Sequence, residues 1–159
     1  MINIGDLSQH FSRAEFKCKC GCGGCTVDNE LLIKLEALRS KLGGRPVTIT
    51  SGYRCPRHSV AVGGYANDAH TKGIAADISI EGKTPEDIAE AAELVGFSGI
   101  GLMTGAVHVD VRNATNYYNS HWFGDERTGE NVTTFIRHKT RRLEVKLDGK
   151  TIFEEEITL

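Results

Sequence analysis

His70-Thr71-Lys72-Gly73-Ile74-Ala75-Ala76-Asp77, with Ala106-Val107-His108-Val109-Asp110 downstream, is the stretch on which the reading of this 159-residue chain turns. Side chains alternate between the two faces of a strand. In the second segment Val107, Val109 and Val111 therefore point to one side, and Ala106, His108, Asp110 and Arg112 to the other. A strand with one valine face and one His/Asp/Arg face borders both a core and a polar cleft. The first segment puts Asp77 on a strand over 74–80 and His70 in the loop before it, with Gly73 allowing the chain to turn between them. Two imidazoles and one carboxylate suit Zn2+. Three protein ligands leave one position open for water or substrate, which separates a catalytic zinc from a structural one.

Outward from this core, the chain alternates short helices and strands. Ser12 and Glu15 form a capping box around Phe11 and Phe16 within an irregular Cys-rich arm over 1–25. Asp28 caps an amphipathic helix whose stripe is Leu31, Leu32, Leu35, Leu38 and Leu42, and Gly43-Gly44 ends it. Val47-Thr48-Ile49-Thr50 reads as a strand. Residues 52–69 read as a long loop, of the kind that is often functional in a compact domain. Thr84-Pro85-Glu86 starts a helix that passes through Ile88, Ala91, Ala92 and Val95 to Gly96. Strands over 99–103 and 106–111 follow, joined at Thr104-Gly105. Residues 112–131 read as loop, with Tyr117, Tyr118, Trp122 and Phe123 clustered there. The tail alternates over 143–147, turns at Asp148-Gly149 and returns over 151–159 as a hairpin, which needs something to pack against. The expected class is α+β: a small antiparallel sheet with helices on one face and the metal on the other, then a C-terminal β-hairpin. The expected domains are 1–129 and a 130–159 extension.

The formal net charge of −2 gives no electrostatic footprint for nucleic acid. The short run Arg137-His138-Lys139-Thr140-Arg141-Arg142 is matched by Glu154-Glu155-Glu156, as in a solvated strand pair. No apolar stretch is long enough for membrane insertion, and the first residues lack the basic start and apolar run of a secretory signal. The expectation is synthesis in the cytoplasm and, for any action outside, release by another route.

Cys18, Cys20, Cys22 and Cys25 crowd together and Cys55 lies apart. Cys18 and Cys20 are too close in an extended segment to bridge each other comfortably. Three readings stand: disulfides from the arm to the Cys55 region, a structural zinc on thiolates (where only Cys22/Cys25 has C-x-x-C spacing), or free thiols in a reducing compartment. In each the cluster is structural.

The segment from His70 to Asp77 resembles the His-x6-Asp element of the zinc D-alanyl-D-alanine peptidase family. That family includes bacterial DD-carboxypeptidases, vancomycin-resistance dipeptidases and phage endolysin peptidases, and hedgehog signalling domains share its fold. His108-Val109-Asp110 resembles the element carrying the third ligand, and Ser51-Gly52-Tyr53-Arg54 the segment whose arginine contacts substrate near its carboxylate. The resemblance covers roughly residues 10–123. It implies His70, Asp77 and His108 as zinc ligands and a peptidoglycan stem peptide as substrate. Two positions depart from the pattern: Asp68 stands where the family often has serine, and Gly105 where many members carry their acidic general base.

A zinc peptidase needs a base that takes a proton from water and returns it to the leaving amine. Asp110, on the strand face of His108, is the first candidate; its other reading is a carboxylate that orients a ligand histidine. Asp68 is a further alternative. Arg54 is expected to grip a substrate carboxylate, against the reading of a structural salt bridge. Arg112 could polarise the scissile carbonyl, and His58 reads as a loop histidine. The leading expectation is thus a zinc metallopeptidase of the cell wall, whether carboxypeptidase or endopeptidase, resembling phage-type members. A non-catalytic wall-binding or phage structural module retaining the metal is the alternative, and a purely structural zinc in an interaction domain a third. Oligomeric state is not legible.

Overall fold

The computed structural model describes residues 5–137 and 140–158. Helices α1 (Arg13–Phe16), α2 (Asn29–Lys41), α3 (Pro56–Ala61) and α4 (Pro85–Leu94) are interleaved with strands β1 (Val47–Ser51), β2 (Ala75–Ile80), β3 (Gly99–Leu102), β4 (Val107–Asp110), β5 (Trp122–Asp125) and β6 (Glu130–Asn131). Strands β7 (Thr140–Leu147) and β8 (Lys150–Thr158) close the chain. The main sheet has the order β1-β2-β4-β3-β5-β6, and β7 and β8 form a separate pair. The α+β class holds.

The helices form where the caps place them. Asp28 accepts the Glu30 amide at 2.8 Å and opens α2, whose Leu31, Leu35 and Leu38 are fully buried. Thr84 and Asp87 exchange side-chain and backbone bonds in a capping box at the start of α4. Its Ile88, Ala89 and Ala92 pack with Val107, Val109 and Ile78 in one core. The opposite face of β2 and β4 carries Asp77, His108 and Asp110. Each full burial of a Leu or Ile contributes roughly 1.5–3 kcal/mol, so the helical side supplies the stability while the other face holds polar chemistry.

Three expectations need correction. The sheet is not wholly antiparallel, because β5 runs parallel to β3. The chain leaves β4 at the end where β3 begins and crosses over 111–121 to re-enter at that same end, with Gly99 opposite both Asp110 and Trp122. The 52–69 loop contains α3: Pro56 sets the first turn and the Cys55 sulfur accepts the His58 amide in place of a Ser or Thr cap. Residues 112–131 are not all loop, since they end in β5 and β6.

Residues 130–137 stay attached to the main body. Asn131 pairs with Gly124, Phe135 is buried against Phe123, and Glu93 of α4 accepts the Phe135 and Ile136 amides. The expected boundary at 130 thus falls at the start of a segment that contacts β5 and α4. The hairpin turns at Asp148-Gly149, where Asp148 has φ 49°. Its Val145, Leu147 and Phe153 are substantially exposed. The charged run over 137–142 and its acidic counterpart fall largely outside the described side chains, as do the first residues outside the described chain. Among the described residues no helix is long and apolar enough to cross a membrane.

Candidate metal centre

Backbone register assembles the site. Asp77 on β2 lies opposite His108 on β4, and His108 lies opposite Gly101 on β3. Directly opposed residues project to the same face about 4.5–5.5 Å apart. Asp77 and His108 are therefore neighbours by pairing alone. His70 is brought in by a turn in which Asp68 accepts the Thr71 amide at 3.0 Å and Gly73, at φ 71°, donates its amide to the His70 carbonyl.

The three side chains converge. His70 Nε2 is 3.2 Å from His108 Nδ1 and 3.3 Å from Asp77 Oδ1, and His108 Nδ1 is 3.1 Å from Asp77 Oδ1. A tetrahedral zinc with bonds of about 2.0–2.1 Å needs its N and O donors roughly 3.3–3.4 Å apart. The donor set and its spacing both fit that ion. All three residues are buried.

The other edge of each ring is also satisfied, which fixes the tautomers. His70 Nδ1 is 2.8 Å from the Gly52 carbonyl, which can only accept, so Nδ1 carries the proton and Nε2 presents its lone pair. His108 Nε2 is 2.8 Å from Asp110 Oδ2, leaving Nδ1 toward the other two donors. Such partners orient ligand imidazoles and raise their basicity. Burial opposes a charged His108 ring, yet the Asp110 and Asp77 carboxylates push its pKa up to about 10 in the metal-free protein. Burial likewise raises Asp77, but hydrogen bonds to His108 and His70 outweigh it and hold the carboxyl well below its usual range.

The expectation that Asp110 is the proton shuttle does not match this geometry. Its carboxylate has no exposure and binds the Nε2 edge of His108, away from the converging donors. Arg112 grips it through Nε at 2.8 Å to Oδ1 and Nη2 at 2.5 Å to Oδ2. Against the cost of burial, His108 and Arg112 keep Asp110 ionised far below the usual carboxylate range. Gly99 makes this possible, because any side chain there would occupy the space of the Asp110 carboxylate. Arg112 is committed in turn: it stacks 4.7 Å from the Tyr117 ring and 5.4 Å from Trp122. In this structure its guanidinium is thus engaged by Asp110 and the two rings.

Asp68 accepts hydrogen bonds from Ser59, the Tyr65 amide and the Thr71 amide, and its Oδ2 lies 3.9 Å from Arg54 Nη1. Arg54 is partly exposed at the cleft. It donates Nε to Ser51 Oγ and Nη2 to Asp77 Oδ2, each at 3.1 Å. Its Nη1 approach to Asp68 Oδ2, at 3.9 Å, is a charge contact longer than a hydrogen bond. His58 lies on α3 and does not line the cleft.

The cleft above the three donors measures about 320 Å³. Its wall contains Glu126, Trp122 and Tyr117, none of which motif reading singled out as functional. Glu126 and Trp122 reach the site through Gly101. A methyl group at Gly101 would come within 2.6 Å of Glu126 Oε1 and 2.9 Å of the Trp122 ring. The Glu126 carboxylate therefore lies in the space a side chain beside His108 would fill.

The cysteines separate into two sets. Cys18, Cys20, Cys22 and Cys55 have sulfurs within 4.8 Å of one another. Cys25 is apart, its thiol directed at the Arg13 carbonyl at 3.6 Å.

The family model for peptidase M15 matches residues 9–111, which include all three candidate ligands. Over 67 residues the chain is 36% identical to the zinc D-Ala-D-Ala carboxypeptidase of Streptomyces albus G. That match takes in 42% of this chain and 26% of the relative, so the chain spans about a quarter of the relative's length. With the match extending over more than half of its residues, the chain belongs to the peptidase M15 family.

Proposed function

We propose that this protein is a zinc metallopeptidase that hydrolyses a peptide bond in the stem peptides of bacterial peptidoglycan, a D-alanyl-D-alanine terminus being the first substrate to try. The observation that carries the reading is the convergence of His70 Nε2, Asp77 Oδ1 and His108 Nδ1 within 3.1–3.3 Å at the base of an open cleft. The name of the relative supports the substrate class, and the setting of the activity follows from it: the bacterial wall.

Zinc held there would supply Lewis acidity, lowering the pKa of water and polarising the scissile carbonyl. Arg54 binds the substrate carboxylate with the N–H groups that Asp77 and Ser51 leave unused, fixing the peptide's end. Glu126 is the general base: its Oε1 accepts a proton from the attacking water and delivers it to the leaving amine as the C–N bond breaks. Asp110 holds the Nε2 proton of His108 and so keeps Nδ1 aimed into the site. Trp122 and Tyr117 wall the cleft and limit the access of bulk water.

The test is incubation of zinc-loaded protein with purified muropeptides ending in D-alanyl-D-alanine, read by mass spectrometry. Loss of one terminal alanine establishes a carboxypeptidase, and a cut within the stem or cross-bridge an endopeptidase. No product from any muropeptide, with zinc confirmed in the sample, overturns the reading in favour of a wall-binding module.

A further inference from the structure

We propose that Cys18, Cys20, Cys22 and Cys55 hold a second zinc ion, a structural tetrathiolate centre separate from the cleft. The four sulfurs lie within 4.8 Å of one another. Cys18 Sγ is 3.4 Å from Cys20 Sγ, and Cys20 Sγ is 3.7 Å from Cys55 Sγ. A tetrahedron with Zn–S bonds of about 2.3 Å has edges of roughly 3.8 Å. These separations match that tetrahedron and are far from the roughly 2.05 Å of a disulfide.

The surrounding backbone is arranged for negative sulfur. The Cys55 amide donates to Cys18 Sγ at 3.3 Å, the Gly24 amide to Cys22 Sγ at 3.4 Å, and the His58 amide to Cys55 Sγ at 3.4 Å. Three of the four sulfurs thus accept a backbone N–H, which favours the thiolate over the thiol. The Cys-x-Cys-x-Cys spacing differs from paired C-x-x-C units, and the glycines make it workable. Gly21 at φ 82° and Gly23 at φ 77° coil the arm so that alternate cysteines turn toward one point. Cys25, which the C-x-x-C spacing offered as a ligand, is excluded by its separate position. Cys20 and Cys22 are exposed, and exposed thiols left free would be open to oxidation.

The centre would tie the N-terminal arm to the segment 52–55. That segment carries the Gly52 carbonyl that orients His70, then Arg54, then Cys55. Apart from the sulfurs, the link between arm and segment includes a Tyr53 amide bond to the Phe16 carbonyl at 2.9 Å. The second ion would therefore hold the substrate-binding arginine and one ligand histidine in register.

The test is metal analysis of protein purified under reducing conditions, combined with absorption spectroscopy of its cobalt-substituted form. The intact protein should contain two zinc ions per chain, and the variant with His70→Ala and His108→Ala should retain one. With cobalt, that variant should keep the near-ultraviolet thiolate charge-transfer band of a tetrathiolate site. The variant with Cys20→Ser and Cys22→Ser should lose the band and one zinc. The histidine variant keeps every cysteine, so the proposal stays testable if the cysteine variant fails to fold. Alkylation of denatured, unreduced protein after chelation should modify all five cysteines. A histidine variant with no metal and no thiolate band, or cysteines that resist alkylation until reduced, would overturn the proposal.

Discussion

In the proposed mechanism Glu126 and Asp110 divide between them the two jobs a carboxylate performs beside a ligand histidine. Glu126→Gln keeps the shape but removes the proton acceptor. It should lower kcat by about 10²–10⁴-fold with zinc content and KM nearly unchanged, measured by steady-state kinetics and metal analysis. Retained full activity would remove Glu126 from the mechanism. Asp110→Asn acts differently, because it takes the negative charge and one acceptor oxygen from beside the buried Arg112 guanidinium. Removing one member of such a pair costs about 3–5 kcal/mol, and loss of an orienting partner weakens metal binding by about 10–100-fold. Denaturant unfolding and zinc titration should both shift. The sequence placed Asp110 correctly on the face of His108, but period-2 alternation does not say which edge of the imidazole a residue two positions on will reach. Glu126 was illegible for a different reason: the space it enters exists because Gly101 lies opposite His108, which is a matter of pairing between distant strands.

At the scale of elements, what was legible had a local cause. Asp28 and Thr84 cap their helices through bonds to residues two or three positions away, and the valines of β4 alternate. What was missed depended on partners far away in sequence. Trp122-Phe123-Gly124-Asp125 carries no strand pattern, and β5 is extended because β3 supplies the ladder. The strap over 130–137 is also held by distant groups. Arg137 bonds Asp87 at 2.8 Å and Glu90 at 2.6 Å. The hydrogen bond from Arg137, then those at Thr84, lower the Asp87 pKa from an ordinary 3.8 to about 2. A depressed folded-state pKa contributes stability above the unfolded value and loses it as pH falls through the folded one. The Asp87–Arg137 tie should therefore hold above about pH 4 and release toward pH 2. The Asp87 carboxyl carbon shift in NMR should titrate near 2, and at higher pH in Arg137→Ala, where only the Thr84 bonds still lower it. Titration near 4 in the intact protein would show that the tie does not form in solution.

For the whole molecule, the question is where the sheet ends and the hairpin begins. Phe135 belongs to the core with Phe123, and Glu93 anchors its amide. A chain ending at Arg137 should keep the thermal midpoint and zinc site of the full protein. A chain ending at Gly129 loses a buried phenylalanine and should be less stable by about 3–5 kcal/mol. Circular dichroism melts of the two truncations decide this. Equal stability would keep the boundary at residue 130. The clean alternation over 143–147 pointed to a separate hairpin unit, whereas Val132, Phe135 and Ile136 are too few and too irregularly spaced to give a periodic signal of burial.

The four carboxylates of the cleft and its immediate support, Asp68, Asp77, Asp110 and Glu126, face two guanidiniums, Arg54 and Arg112. With both histidines neutral, the centre carries two uncompensated negative charges. A divalent cation brings it to electroneutrality, whereas a monovalent ion leaves a deficit and a trivalent one an excess. Charge balance across the cleft thus selects the valence of the ion before imidazole and carboxylate chemistry selects the element.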